Sequence, residues 1–533
     1  MKEVVLVAQQ TVSVANNETQ SKIYNIVKNG VAGIAPDNMK AIAVSTGATE
    51  GTVNITFTEP DSTIVDGYTL CNVRGVRIVM KRDSPPRDEN DGTVLLENEV
   101  LGKYTETPYE VTGLVAGNTY YFGVFPYSTH RVFNRNAKNI KEIFIKSYTL
   151  YGFRVDKNDP NPATRITYLE DAVGMTPAHM DFDTGQFDYG SWDPNDIFFL
   201  KNNKPFMVNL DGTPAYELDE NDYTKKLDGT GSDISNTSFA GNAMAKMETV
   251  WLYQYEDEQY EYCYVSNIKV NDNYHAYAHE RADGTIQEYI WLAMFDGALV
   301  GSKLRSLKDQ SIMLGINVEN SVIRAKANGD IWYIRTWSQR NLINMLLFLM
   351  FRSDDLQATL GNGYCNGGGT FYSSNCLPTG GAFDKGRFYG STADRDYVKV
   401  FHIENWWGNT WERIAGLMYN NSELFVKMTP PYNLTGDGYI NAGINITGSS
   451  GGYIKQTNMS QYGRIGSETD GGSATTYACD GLWRTHHWYG DASVGGLYTT
   501  KMSCGPSCLL LSTQPEDNWE AGSFSLSCEQ PKS

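Results

Sequence analysis

Apolar residues in this chain recur mostly at every second position, in short runs soon cut off by glycine, asparagine or proline. That spacing suits a β-strand, whose side chains alternate between two faces, and not a helix of 3.6 residues per turn. Val53, Ile55 and Phe57 alternate with Asn54 and Thr56 until Pro60 stops the run. Val76, Ile78 and Met80 form a second series, and Tyr120, Phe122 and Val124 a third. Tyr260–Val265, Tyr289–Phe295 and Ile331–Ile334 predict further strands, the second buried on both faces because it is apolar throughout. Phe524, Leu526 and Cys528 alternate with serines and predict a final half-buried strand. A chain patterned this way buries sheet faces against one another, so a mainly β protein is expected.

The clearest exception begins near Ser338, which can cap a helix. Leu342, Ile343, Leu346, Leu347 and Leu349 then supply a wide apolar stripe, and Arg352-Ser-Asp returns the chain to solvent. The longest apolar run, Leu342 to Phe351, is about half a bilayer thick, so no membrane insertion is expected. Acidic residues exceed Lys plus Arg, for a net charge of −18, which argues against a nonspecific nucleic-acid binder.

At 533 residues the chain exceeds one compact core, and roughly 150 residues per domain predicts about three. The expected divisions are an attachment segment over 1–34, a β domain over 35–148, a β-rich middle over 149–330, and an α+β domain over 331–533. Within the second, the segment Tyr109–Phe125 reads as strand, tight turn at Gly117 and Asn118, strand. Leu114 stands six residues before Tyr120. This arrangement resembles the tyrosine corner of a fibronectin type III domain, which implies a β-sandwich whose phenol hydrogen-bonds back to the nearby backbone.

Catalytic and metal motifs are sparse. His275 and His279 are four apart beside Glu280, a metal-binding spacing on a helix, but the order HExxH is absent and no metal is expected. The glycine-rich stretch after Gly361 lacks the Lys-Ser or Lys-Thr of a phosphate loop. Cys504 and Cys508 read as a disulfide or as two buried thiols. Trp406, Trp407 and Trp411 read as core anchors, and Glu404 among them as a hydrogen-bond acceptor of the framework. With no Ser/His/Asp order and no paired carboxylates, neither an enzyme nor a cofactor is expected.

After Trp483 the composition changes. Arg484-Thr-His-His-Trp-Tyr-Gly-Asp mixes aromatic and polar side chains, and Gly495, Gly496 and Gly505 bound the loops that follow. Large amphipathic residues beside small polar ones make a recognition surface. Several blocks belong to the same region: Ile403-Glu-Asn-Trp-Trp-Gly-Asn, Arg413-Ile-Ala-Gly, Tyr462-Gly, Tyr477-Ala-Cys-Asp-Gly-Leu-Trp483, Val494-Gly-Gly, and Asn518-Trp to Ser527-Cys528. With the upstream segments Met175–Met180 and Asn221–Gly229, they resemble the variable proteins of diversity-generating retroelements in phages and prophages of gut bacteria.

That resemblance implies a C-terminal C-type-lectin-like domain of the formylglycine-generating-enzyme branch. It also implies that an error-prone reverse transcriptase rewrites surface codons between Leu482 and Trp519. The implied variable residues are Arg484, Thr485, His486, His487, Trp488, Tyr489, Asp491, Tyr498, Thr499, Thr500, Ser507 and Asp517, with Glu520 and Ser523 where the last strand begins. Trp483, Gly495, Gly496, Gly505, Trp519 and Gly522 would be framework. The implied partners are a protein or glycan on a bacterial surface and other phage structural proteins, on a virion tail or at a cell surface. A homo-oligomer, a trimer by analogy, is the implied assembly. The alternatives are a purely structural tail or baseplate spacer, and calcium-dependent sugar binding, for which no paired Glu-Pro-Asn motif is present.

Overall fold

The computed structural model describes residues 33–47, 51–65, 68–421, 423–485 and 490–532. The expected attachment segment falls almost wholly outside them. Strands account for 41% and helices for 9%, a mainly β architecture built of several sheets. The described residues form two compact units that part between Ser147 and Tyr148. Among them, no helix is long and apolar enough to cross a membrane.

The first unit holds a three-stranded sheet of Ala41–Thr46, Val53–Thr58 and Tyr109–Val111. A four-stranded sheet in the order Thr93–Asn98, Val73–Arg82, Asn118–Ser128 and Ile140–Ile145 accompanies it. The alternation in the sequence is the reason: Val53, Ile55 and Phe57 share a core with Val76, Ile78, Phe122 and Val124. Each such side chain contributes about 1.5–3 kcal/mol by leaving water. Gly117, at φ +81°, makes the turn before the third of these strands. The Tyr120 hydroxyl accepts a hydrogen bond from the Val115 N–H at 2.9 Å.

In the second unit, the expected boundary near 330 falls inside one compact body. A seven-stranded sheet explains it. The last strand, Leu526–Glu529, lies between Tyr289–Ala293 and Trp332–Ile334, pairing Cys528 with Trp291 on one side and Trp332 on the other. The middle segment therefore cannot close its sheet without the end of the chain. The expected half-buried strand is also buried on both faces. Ser523, Ser525 and Ser527 are as buried as Phe524, Leu526 and Cys528. The Ser527 hydroxyl is satisfied by donating to the Ile334 carbonyl at 3.3 Å.

The long helix runs Trp337–Phe351 and is buried on every side. Its cap is Thr336, not Ser338. The Thr336 side chain accepts from the Gln339 N–H, and the Gln339 side chain accepts from the Thr336 N–H, a reciprocal capping box. The sequence reading places the cap two residues too late because both residues suit a cap. Polar residues on a fully buried helix need partners. Asn341 donates to Gln254 at 2.8 Å, while Asn344 donates to the Pro506 carbonyl at 2.8 Å and accepts from the Trp406 indole at 2.9 Å.

The helix needed to stack His275 over His279 is absent. Only a 3-10 turn, Tyr277–His279, forms, and the His275 backbone pairs with Leu252. His279 is fully buried, with Nε2 3.2 Å from the Met247 carbonyl. Burial pushes its pKa down to about 4, from an ordinary value near 6.5. Between those values the unfolded chain takes up a proton that the folded chain refuses. The stability contributed by neutral His279 is thus complete above pH 6.5 and lost as pH falls toward 4. Over that window the native chain is expected to lose about 3 kcal/mol more than His279→Asn, measured by urea unfolding at each pH. Equal losses in the two proteins would remove His279 as the cause.

Candidate ligand-binding face

The strands around Trp483 belong to an eight-stranded sheet. Its central run is Trp411–Asn420, Gly490–Gly495, Gly505–Thr513, Gly481–Arg484 and Gly451–Tyr453, with Gly522–Ser523 alongside Trp411. Period two divides the residues between faces. Leu482, Ala492, Val494, Leu509 and Leu511 point into one core with Ile414 and Leu417. Trp483 and Leu510 point the other way, into a satellite cluster with Trp411, Leu497, Cys508 and Ala521. In that cluster Phe371, Trp483, Leu510 and Trp519 stay half-exposed. The Trp483 indole meets Trp411 edge to face at 5.9 Å. It also lies over Gly451 and Gly481, where a Cβ would come within 2.3 Å of the ring. Any side chain at those two positions would lift the tryptophan off the sheet.

The expected variable residues separate into three sets. Thr485, Asp517 and Glu520 are exposed, and Arg484, Thr499, Thr500 and Ser507 are half-buried around the cluster. The backbone N–H of Thr485 donates to the Leu511 carbonyl at 3.0 Å, and Arg484 donates to the Gly448 carbonyl at 2.8 Å. His486, His487, Trp488 and Tyr489 lie outside the described residues.

Asp491, Tyr498 and Ser523 are buried, contrary to the expected exposed surface. Both Asp491 carboxylate oxygens accept from Arg413 at 2.8 Å. Arg413 also donates to the Gln514 and Asp517 carbonyls at 2.8 and 2.7 Å, so the pair ties the 514–517 turn to the sheet. The Tyr498 ring stacks on Tyr364 at 5.0 Å and on Phe371 at 5.3 Å. Its hydroxyl accepts from the Tyr372 N–H at 2.5 Å and lies 3.1 Å from the Tyr372 carbonyl. Ser523 accepts from Thr410 at 2.9 Å and donates to the Trp411 carbonyl at 3.2 Å. All three hold backbone in place. A glycine-bounded loop and a tyrosine look alike in sequence whether the ring packs down or projects.

The layer beneath includes buried polar groups that hold backbone. Asp480 accepts from the Ser507 N–H at 2.7 Å, and burial holds its carboxyl well above the usual range. Gly505 (φ +155°) is needed there, because a Cβ would sit 1.9 Å from an Asp480 oxygen. Trp406, Trp407 and Trp411 are buried, and Glu404 accepts from the Gly380 and Ala382 N–H groups at 2.8 Å each. Cys504 and Cys508 are buried free thiols, both pushed up by burial.

Four residues near this face escaped the sequence reading. Leu510 follows from alternation once 505–513 is taken as a strand. Phe371 and exposed Tyr372 come from a loop more than a hundred residues earlier, and no local pattern signals their arrival. Exposed Met502 sits on the 3-10 turn Lys501–Ser503. No protein-family model matches the chain, and no curated protein matches it.

Proposed function

We propose that this chain is a display protein that binds an external ligand through the outer face around Trp483. The observation that carries this reading is the half-exposed cluster of Phe371, Trp483, Leu510 and Trp519, seated on a buried framework of charge pairs and aromatic stacks. A few aromatic anchors commonly supply most of the energy of such a surface, and a rigid base spares the entropy of ordering it. Exposed Thr485, Asp517 and Glu520, together with Arg484, Thr499, Thr500 and Ser507, form the polar surround.

The likeness to retroelement variable proteins gives this arrangement its purpose. On that reading a C-type-lectin-like domain carries residues that can be rewritten while the buried framework stays constant. Asp491, Tyr498 and Ser523 belong to that framework. The ligand is a protein or glycan on a bacterial surface, and the protein sits on a phage tail beside other structural proteins, or on a cell surface. The first unit is its fibronectin type III-like spacer, a reading supported by the Tyr120–Val115 hydrogen bond. Burial of Asp491, Tyr498 and Ser523 favours the second reading, a purely structural tail component, because it removes three expected contacts.

Binding to bacterial surface extracts separates the two. Phe371→Ala combined with Trp519→Ala is expected to weaken binding by about tenfold or more, with the far-ultraviolet circular dichroism spectrum unchanged. Undiminished binding by that double variant would overturn the proposed face. A near-copy of the codons for 480–528, differing at adenines beside a reverse-transcriptase gene, is the separate test of diversification.

A further inference from the structure

A second recessed site lies elsewhere in the 148–533 unit, sharing no residue with the face around Trp483. It is a cavity of about 160 Å³ between the 3-10 turn Tyr277–His279, the strand Trp332–Ile334, the start of the long helix, and Pro430–Tyr432. A space of that size holds a ligand of roughly benzene's bulk.

Its lining combines phenol rings with carboxylates. Tyr277, Tyr333 and Tyr432 contribute the rings. Each of the three has a neighbour that fixes it: Tyr333 and Tyr432 pack at 5.6 Å, and Tyr277 stacks on His275 at 4.6 Å with 2° between the planes. Rings held this way are in place before any ligand arrives.

The carboxylates are not equivalent. Glu529 is taken, since Arg281 reaches it at 2.9 Å. Glu280 is not: among the described residues no cation forms an ion pair with it, and burial is the sole influence moving its carboxyl up from the ordinary range. A partly buried carboxylate without a counter-charge is costly, and a ligand that supplies the charge recovers that cost. Aromatic faces attract the same kind of ligand. Lys326 illustrates this locally, with its ammonium 5.8 Å from the Tyr333 ring centre.

We propose that this cavity binds a small organic ammonium, its charge against Glu280 and its carbon chain against Tyr277, Tyr333 and Tyr432. The class covers a free primary amine and a lysine side chain, which offer the same group. An anionic ligand is disfavoured by Glu280, Asp330 and Glu529, against which the lining sets only Lys326.

The experiment is a calorimetric titration of the full chain with n-butylammonium chloride, 1-butanol and sodium butyrate. Butylammonium is expected to saturate one site, and the neutral and anionic probes to bind about tenfold more weakly or not at all. Glu280→Gln and Tyr333→Leu are each expected to weaken butylammonium by about tenfold while thermal unfolding stays at the native temperature. Equal affinity for the three probes, no saturable binding, or binding insensitive to Glu280→Gln would overturn the proposal. Nα-acetyl-lysine methylamide distinguishes the sources. Affinity at or above that of butylammonium assigns the site to a lysine side chain, and affinity well below it assigns the site to a free amine.

Discussion

Asp491→Ala is expected to cost the 148–533 unit about 3–5 kcal/mol, the usual penalty for stranding one member of a buried ion pair. The Arg413 side chain is fully buried, and two of its donors face the Asp491 carboxylate at 2.8 Å. Removing the acid leaves a guanidinium without its counter-charge in the interior, still bonded to the 514–517 turn. Ser507→Ala, on the half-buried rim, is expected to stay within about 0.5 kcal/mol. Urea unfolding followed by tryptophan fluorescence reads both. The pair of variants tests the division between framework and variable surface directly. A loss below about 1 kcal/mol for Asp491→Ala would return that residue to the positions free to vary.

Arg464→Ala is expected to cost about as much, because it strands Glu261 and leaves Asp354 with Arg165 alone. Arg464 donates to Glu261 at 2.7 Å and to both Asp354 oxygens at 2.5 and 2.9 Å. Arg165 adds a contact to Asp354 at 3.2 Å, and all four side chains are at most 2% exposed. The guanidinium also lies 5.0 Å from the Phe348 ring centre. This cluster joins residues from both sides of the boundary expected near 330. Its loss should therefore lower one shared unfolding transition. All eleven tryptophans lie in the 148–533 unit, on both sides of residue 330, so a single tryptophan-fluorescence transition is expected in the native chain and, at lower urea, in the variant. Two separate transitions, one for each side of residue 330, would show that the network does not unite them.

Legibility in the sequence follows the range of the interactions. Val53–Thr58 was readable because a strand with one wet face writes its burial into alternate letters. The buried tryptophans and the bonded Glu404 were readable because indoles and carboxylates have few alternatives in an aromatic-rich segment. The serines of the last strand were misread as a wet face. This strand is packed on both faces, and small hydroxyls are admitted where a carbonyl stands ready to bond them. Tyr498 was misread for the opposite reason, since its stacking partners Tyr364 and Phe371 are remote in the chain.

The sequence alone determined that the described residues would be built mainly of sheets and where the helix over 337–351 would run. Those features arise from periodicity and composition over a few neighbouring residues. Only the tertiary structure decided that the end of the chain completes a sheet begun in the middle segment, and that Asp491 faces Arg413 instead of solvent. Both outcomes depend on pairings between distant residues, and a side chain's exposure is set by what else arrives beside it.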